Sequence, residues 1–237
     1  MPMRPILCLF IIALSSLAFG QPIKVLSQSN ALLKSQHLDF IFLSDSTDID
    51  KAVFVAKIQA TGSLKNLTYL YYTLKNKAQE MGANAYRLEQ FSTLDNDRAE
   101  LVVSTYYGTE ELLITNNTLL PQNTVYIFGH EDLTSSKTQG YKLNGVKYKI
   151  GAGAYASYSL KEGEAYRINK GGFTGTTFWL QGKIGSESTF LSFSGLGLNG
   201  ADYAMYPNGI GISIQTGKIN TVDPNLALLL LKLYHEQ

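Results

Sequence analysis

From residue 51 the chain alternates. In KAVFVAKIQAT, residues 51–61, Val53, Val55 and Lys57 stand against Phe54, Ala56 and Ile58, and both faces are largely apolar, which predicts a well-buried strand. Gly62 and Ser63 break the pattern, and from Leu64 the period becomes helical. Leu64, Leu67, Leu70, Tyr71, Leu74, Ala78 and Met81 fall on one stripe, with Lys65, Lys75 and Lys77 largely off it. Ser63 suits the N-cap of this helix and Gly82 its C′ position. Ala83 to Phe91 and Ala99 to Tyr107 predict two further strands joined by the polar turn at 92–98. Residues 38–43 add an earlier strand and 110–114 a short later element, so 21–120 reads as a strand-helix-strand-strand α+β layer.

After Asn123 the helical period disappears, and short apolar or aromatic runs recur between glycines at 124–129, 141–149, 154–160, 164–169, 176–184, 188–194 and 210–215. Asn144-Gly145 lies between Tyr141-Lys142-Leu143 and Val146-Lys147-Tyr148, the strongest hairpin signal in the chain, because this dipeptide supplies the positive φ angles of a two-residue I′ turn. Many short strands with glycine-rich turns predict an antiparallel β-sandwich over 121–220. Asp223-Pro224 then opens a leucine-rich helix over 221–237, expected to dock on the core; an exposed leucine face would instead mark a partner-binding surface. The predicted fold class is α+β, with the layer first, the sandwich second and a short C-terminal helix last.

Composition adds an address. Arg4 is followed by an uncharged apolar run from Ile6 to Leu14 and then by Ala18 and Gly20, the pattern of a secretory signal peptide over 1–20 cleaved between Gly20 and Gln21. The apolar run is shorter than the roughly 20 residues that span a bilayer, so no transmembrane span is expected in the mature chain. Cys8 is the single cysteine, and cleavage removes it, which excludes disulfides, thiolate catalysis and cysteine metal sites. Loss of Arg4 brings the 20 basic residues level with the 19 acidic ones. Net charge therefore gives no argument for nucleic acid or anionic lipid as partner.

The stretch LKNKAQEMGANAY, residues 74–86, resembles the GANA signature of small bacterial envelope proteins, the Rcs-type stress-sensor lipoproteins and relatives of the YbjQ family. That resemblance implies a helix ending in the motif followed by a strand, with Ala78 allowing close helix–sheet contact. The cysteines of the stress sensors are missing, so their disulfide-held form and lipid anchor are not implied. Val125 to Phe128, Asn144-Gly145, Gly153-Ala154-Tyr155 and Leu160 to Ile168 resemble a β-sandwich domain of unknown function found in exported bacterial proteins, and no catalytic residue comes with it.

Few constellations carry chemistry. Gly195-Leu196-Gly197-Leu198-Asn199-Gly200 fits a dinucleotide fingerprint, but Pro207, Gly209 and Gly211 follow where a helix is required, so no cofactor is expected. His130-Glu131-Asp132 are too close in sequence to converge on a metal and read as a solvated turn. Asp45, Asp48 and Asp50 lack the glycine and glutamate of a calcium loop, so no metal is expected. No G-x-S-x-G elbow occurs. Tyr155, Tyr158, Tyr166 and Trp179 remain as a possible ligand face, against the alternative that they fill the core. The expectation is a non-catalytic exported protein, periplasmic or secreted, that binds an envelope protein or other envelope partner. A carbohydrate-binding module is the alternative and a glycan hydrolase the second.

Overall fold

A computed structural model describes residues 23–30, 39–171, 175–193, 196 and 219–237. Gly20, Gln21, the expected strand at 210–215 and all of the fingerprint motif but Leu196 lie outside them. Among the described residues the fold is mixed α+β and mostly β, with three α-helices and fourteen strands in three sheets. No described helix is long and apolar enough to cross a membrane.

The first sheet has the order β1-β3-β5-β4-β2, formed by β1 (Ile23–Gln28), β2 (Ile41–Phe42), β3 (Val53–Ser63), β4 (Ala85–Leu94) and β5 (Arg98–Tyr107). Its ladders are antiparallel except for β2 on β4. Helix α1 (Leu67–Glu80) buries Leu67, Leu70, Tyr71, Leu74 and Ala78 against it. The helix starts later than expected, because β3 stays paired with β5 as far as Ser63 opposite Arg98. Asn66, not Ser63, is the N-cap; its Oδ1 accepts from the Tyr69 N–H at 2.9 Å. At the other end Gly82 takes φ 91°, and the N–H groups of Gly82 and Ala83 donate to the carbonyls of Gln79 and Ala78, which closes the helix and leaves Ala83 fully buried at the strand entry.

The expected element at 110–114 is the first part of helix α2 (Glu110–Thr118), capped by Thr109. Its Asn116 is fully buried. Asn116 Oδ1 accepts from the Ser44 N–H and the Thr47 hydroxyl, and its Nδ2 donates to the Phe42 carbonyl, so both polar atoms of the buried amide have partners.

The remaining strands make two more sheets. A middle sheet runs β13-β12-β6-β9-β14, from β6 (Thr124–Phe128), β9 (Ala154–Ser159), β12 (Thr189–Ser192), β13 (Asn220–Thr221) and β14 (His235–Glu236). An outer sheet runs β11-β10-β7-β8, from β7 (Thr138–Leu143), β8 (Val146–Gly151), β10 (Ala165–Lys170) and β11 (Thr176–Gln181). The two share a core that includes Ile127, Leu191, Ile150 and Ile168. The outer sheet is antiparallel throughout. The middle one is not, which departs from the expected antiparallel sandwich: β12 runs parallel to β6, and β14 parallel to β9. Both parallel neighbours arrive by long connections, which only a parallel or crossover route requires.

Helix α3 (Pro224–Leu233) packs its leucines inward. Asp223 caps it by accepting from the Asn225 and Leu226 N–H groups, Pro224 takes the first turn, and Leu226 to Leu230 are buried. Those leucines join one apolar cluster with α1, the inner face of the first sheet, and Phe128 and Phe190 of the middle sheet. The start of α3 is tied to the first sheet as well. Asn225 Oδ1 accepts from the Phe42 N–H at 2.9 Å, and the Tyr86 hydroxyl donates to the Asn225 carbonyl at 2.7 Å.

Candidate functional site

The outer sheet turns one face to the shared core and the other to solvent, and alternation sorts the side chains of β7, β10 and β11 between them, while edge strand β8 is exposed from Val146 to Lys149. Tyr141, Leu143, Tyr166 and Ile168 point into the shared core, while Lys142, Lys147, Lys149, Arg167 and Trp179 are exposed. The Asn144-Gly145 turn has φ 51° and 86°, as a I′ hairpin requires, and fixes the register that pairs Lys142 with Lys147 and Gly140 with Lys149. Asn144 also accepts from the Arg167 N–H at 2.8 Å, which locks β10 beside the turn. Arg167 is directly opposite Trp179, and Asn169 is opposite both Thr177 and Lys142.

Trp179, the single tryptophan of the chain, is 62% exposed. Its ring has the Arg167 guanidinium 5.8 Å from its centroid, a cation–π arrangement that orients both groups without covering the ring. The four strands of this sheet contain no aspartate or glutamate. Among the described residues, none of Lys142, Lys147, Lys149 and Arg167 belongs to an ion pair. Lys170 on the same strand as Arg167 points the other way: it donates to the Gly140 carbonyl, sits 4.8 Å above the Phe193 ring, and burial pushes its pKa down. A balanced net charge thus conceals a cationic face.

The four aromatic residues proposed for a ligand face do not share one. Tyr155 packs into the cluster around α3 beside Tyr126 and Phe128, and burial raises its pKa. Tyr158, on the opposite face of β9, hydrogen-bonds the Tyr141 hydroxyl within the core between the sheets, and burial raises both phenols. Tyr166 is buried, accepts from the Lys161 N–H at 3.0 Å and reaches Glu164 Oε2 at 3.1 Å, which stitches the turn before β10. Only Trp179 faces solvent, and its neighbours there are cations and amides rather than tyrosines.

Other candidates resolve into structure. Asp45 and Asp48 engage Lys232 and Lys51, and among the described residues no three potential ligands converge on a metal. The segment at His130-Glu131-Asp132 is more than a solvated turn. Glu131 is half-buried and accepts from the Thr68 hydroxyl at 2.7 Å on the first turn of α1, and loss of solvent raises its pKa. Tyr234 lies close enough to feel that charge, and its buried hydroxyl has no hydrogen-bond partner among the described residues. A groove of about 810 Å³ between β1 and α1 is lined by Val25, Tyr69, Thr73, Lys77 and Glu80. Of its three charged residues, Lys77 and Glu80 pair at 3.1 Å and leave Lys24 as a single cation on its rim.

The cationic face escaped sequence reasoning because Lys142, Lys147, Lys149 and Arg167 are spread over three strands. The available signal was alternation: in YKL, VKYKI and AYRI each cation sits between two apolar or aromatic residues. No family model, curated protein or solved structure matches the chain.

Proposed function

We propose that this is an exported, non-catalytic protein of the cell envelope that binds a glycan on the open face of its outer sheet. The export signal and the resemblance of residues 74–86 to small envelope proteins support the address. The observation that carries the binding role is Trp179, largely exposed beside its cross-strand partner Arg167 on an antiparallel sheet. A large exposed ring flanked by amides and hydroxyls is the chemistry of sugar stacking, because C–H faces of a pyranose cover the ring while hydroxyls reach Asn169, Thr177 or Gln181. A protein partner on the final helix has less support, since its leucines are buried.

The single tryptophan makes the test direct. Titration with dextran, chitin oligosaccharides and polygalacturonate should shift or quench Trp179 emission in a saturable way for at least one glycan. Trp179→Ala should abolish retention of that glycan on affinity electrophoresis without lowering the melting temperature. Unchanged retention by the variant, or release of reducing ends during incubation, would refute the reading.

A further inference from the structure

The cations of the outer sheet form a continuous track that starts at the tryptophan. Trp179 and Arg167 lie side by side on β11 and β10; Lys142 and Lys147 lie side by side on β7 and β8, two residues further along; and Lys149 follows on β8. With neighbouring strands about 4.8 Å apart and a rise of about 3.3 Å per residue, the track runs diagonally for roughly 20 Å. Among the described residues the acids that adjoin these strands in sequence, Glu162 and Glu164, lie in the turn before β10, and Glu164 faces Lys161 and Tyr166.

Solubility alone does not account for this arrangement. Lysines on an edge strand protect it from pairing with other chains, and that could explain Lys147 and Lys149. It does not explain Lys142 or Arg167, which sit on the two inner strands of the sheet. Lys142 and Lys147 are also direct cross-strand partners, a like-charge pair that destabilises a sheet unless an anion sits on it.

We infer that the face from Trp179 to Lys149 binds a linear carboxylated polysaccharide, with one sugar stacked on the ring and successive carboxylates meeting Arg167, Lys142 and the lysines of β8. This rests on the glycan-binding reading above and names its ligand class. At that strand spacing and rise, successive cations on β10, β7 and β8 lie roughly 5–8 Å apart, a step of one to two pyranose units, so a polymer of acidic sugars running along the track meets a cation on each of these three strands. A single-stranded nucleic acid is a poorer fit, because such sites stack successive bases on several rings and this face offers one. A membrane surface needs an apolar group to insert, and among the described residues of the cationic face Trp179 is the one large apolar side chain; the exposed Val146 and Tyr148 of the edge strand β8 alternate to the other side from Lys147 and Lys149.

Affinity electrophoresis in gels containing polygalacturonate, its methyl ester, single-stranded DNA or dextran tests the assignment, with co-sedimentation on phosphatidylglycerol vesicles alongside. Polygalacturonate should retard the full chain most strongly, and its methyl ester, which keeps the backbone but loses the charge, at least about tenfold less, as expected for several exposed charge contacts acting together. The triple variant Lys142→Thr, Lys147→Thr, Lys149→Thr should lose that preference. A control with the same charge change elsewhere, Lys24→Thr, Lys51→Thr, Lys65→Thr, should keep it. Retention should weaken as added salt shortens the screening length from about 30 Å at 0.01 M to about 8 Å at 0.15 M. Equal binding of ester and acid, loss of the preference in the control, or binding of DNA or vesicles in place of polygalacturonate would overturn the inference. If neutral glycans still require Trp179 in those cases, glycan binding itself stands; if no glycan binds at all, both fail.

Discussion

The middle and outer sheets are neighbours in space with opposite chemistry. Strands β6, β9 and β12 of the middle sheet carry no charged residue, and β6 is apolar on both faces: Val125 and Ile127 enter the core shared with the outer sheet, and Phe128 enters the core around α3. The outer sheet turns most of one face into the shared core and gives the other to a tryptophan and four cations that form no ion pair among the described residues. A sheet covered on both sides is free to be structural only. One covered on a single side retains a surface that selection can use, and its rigidity comes from the buried neighbour.

The sharpest way to break this contrast is to open the middle sheet. Phe128 is fully buried and touches Tyr155, Phe190 and Tyr234. Phe128→Ala should cost about 3–5 kcal/mol in chemical denaturation, since it leaves a cavity in the core around α3. Asp223→Ala should cost about 1 kcal/mol by removing the cap of α3, the helix that covers the middle sheet's second face; no change would show that leucine packing alone holds α3.

Glu131 follows β6 and tests the same boundary through pH. Burial raises its folded-state pKa above the ordinary glutamate value, so the folded chain holds the proton more tightly than the unfolded one. Its contribution to stability is therefore greatest below the ordinary carboxylate value and falls as pH rises through the window up to the raised value. Glu131→Gln, which can still accept from Thr68, should match the natural chain at acid pH and melt higher above that window. The smallest effect belongs to the outer sheet. Lys147→Glu should raise stability by about 0.5 kcal/mol at low salt by turning a like-charge pair into an opposite one, while weakening binding of the acidic polymer. Stability gained there at the expense of binding would mark the lysines as functional.

Much of this arrangement was legible locally. The Asn144-Gly145 hairpin, the caps Gly82 and Asp223, and most strands of the second half follow from turn chemistry and alternation, which act within a few residues. What local rules missed is non-local. The cap at Asn66 depends on how far β3 remains paired with β5, and the two-residue β14 exists only because α3 delivers it beside β9. Residues 110–114 predict only a short element, whereas α2 runs on to Thr118 and buries Asn116 as a bracket between helix and loop through three hydrogen bonds. The aromatic residues show the same limit. Alternation separates Tyr155 from Tyr158, but only tertiary contacts reveal that both sides of β9 are covered and that Trp179 alone is open.

The contact between Phe42 and Asn225 spans 183 residues of chain. The apolar side of α1 and the first sheet is closed by leucines that lie far along the chain from both. The first half therefore cannot reach its final packing on its own, and folding should proceed as one event limited by that long-range closure rather than by either half in turn.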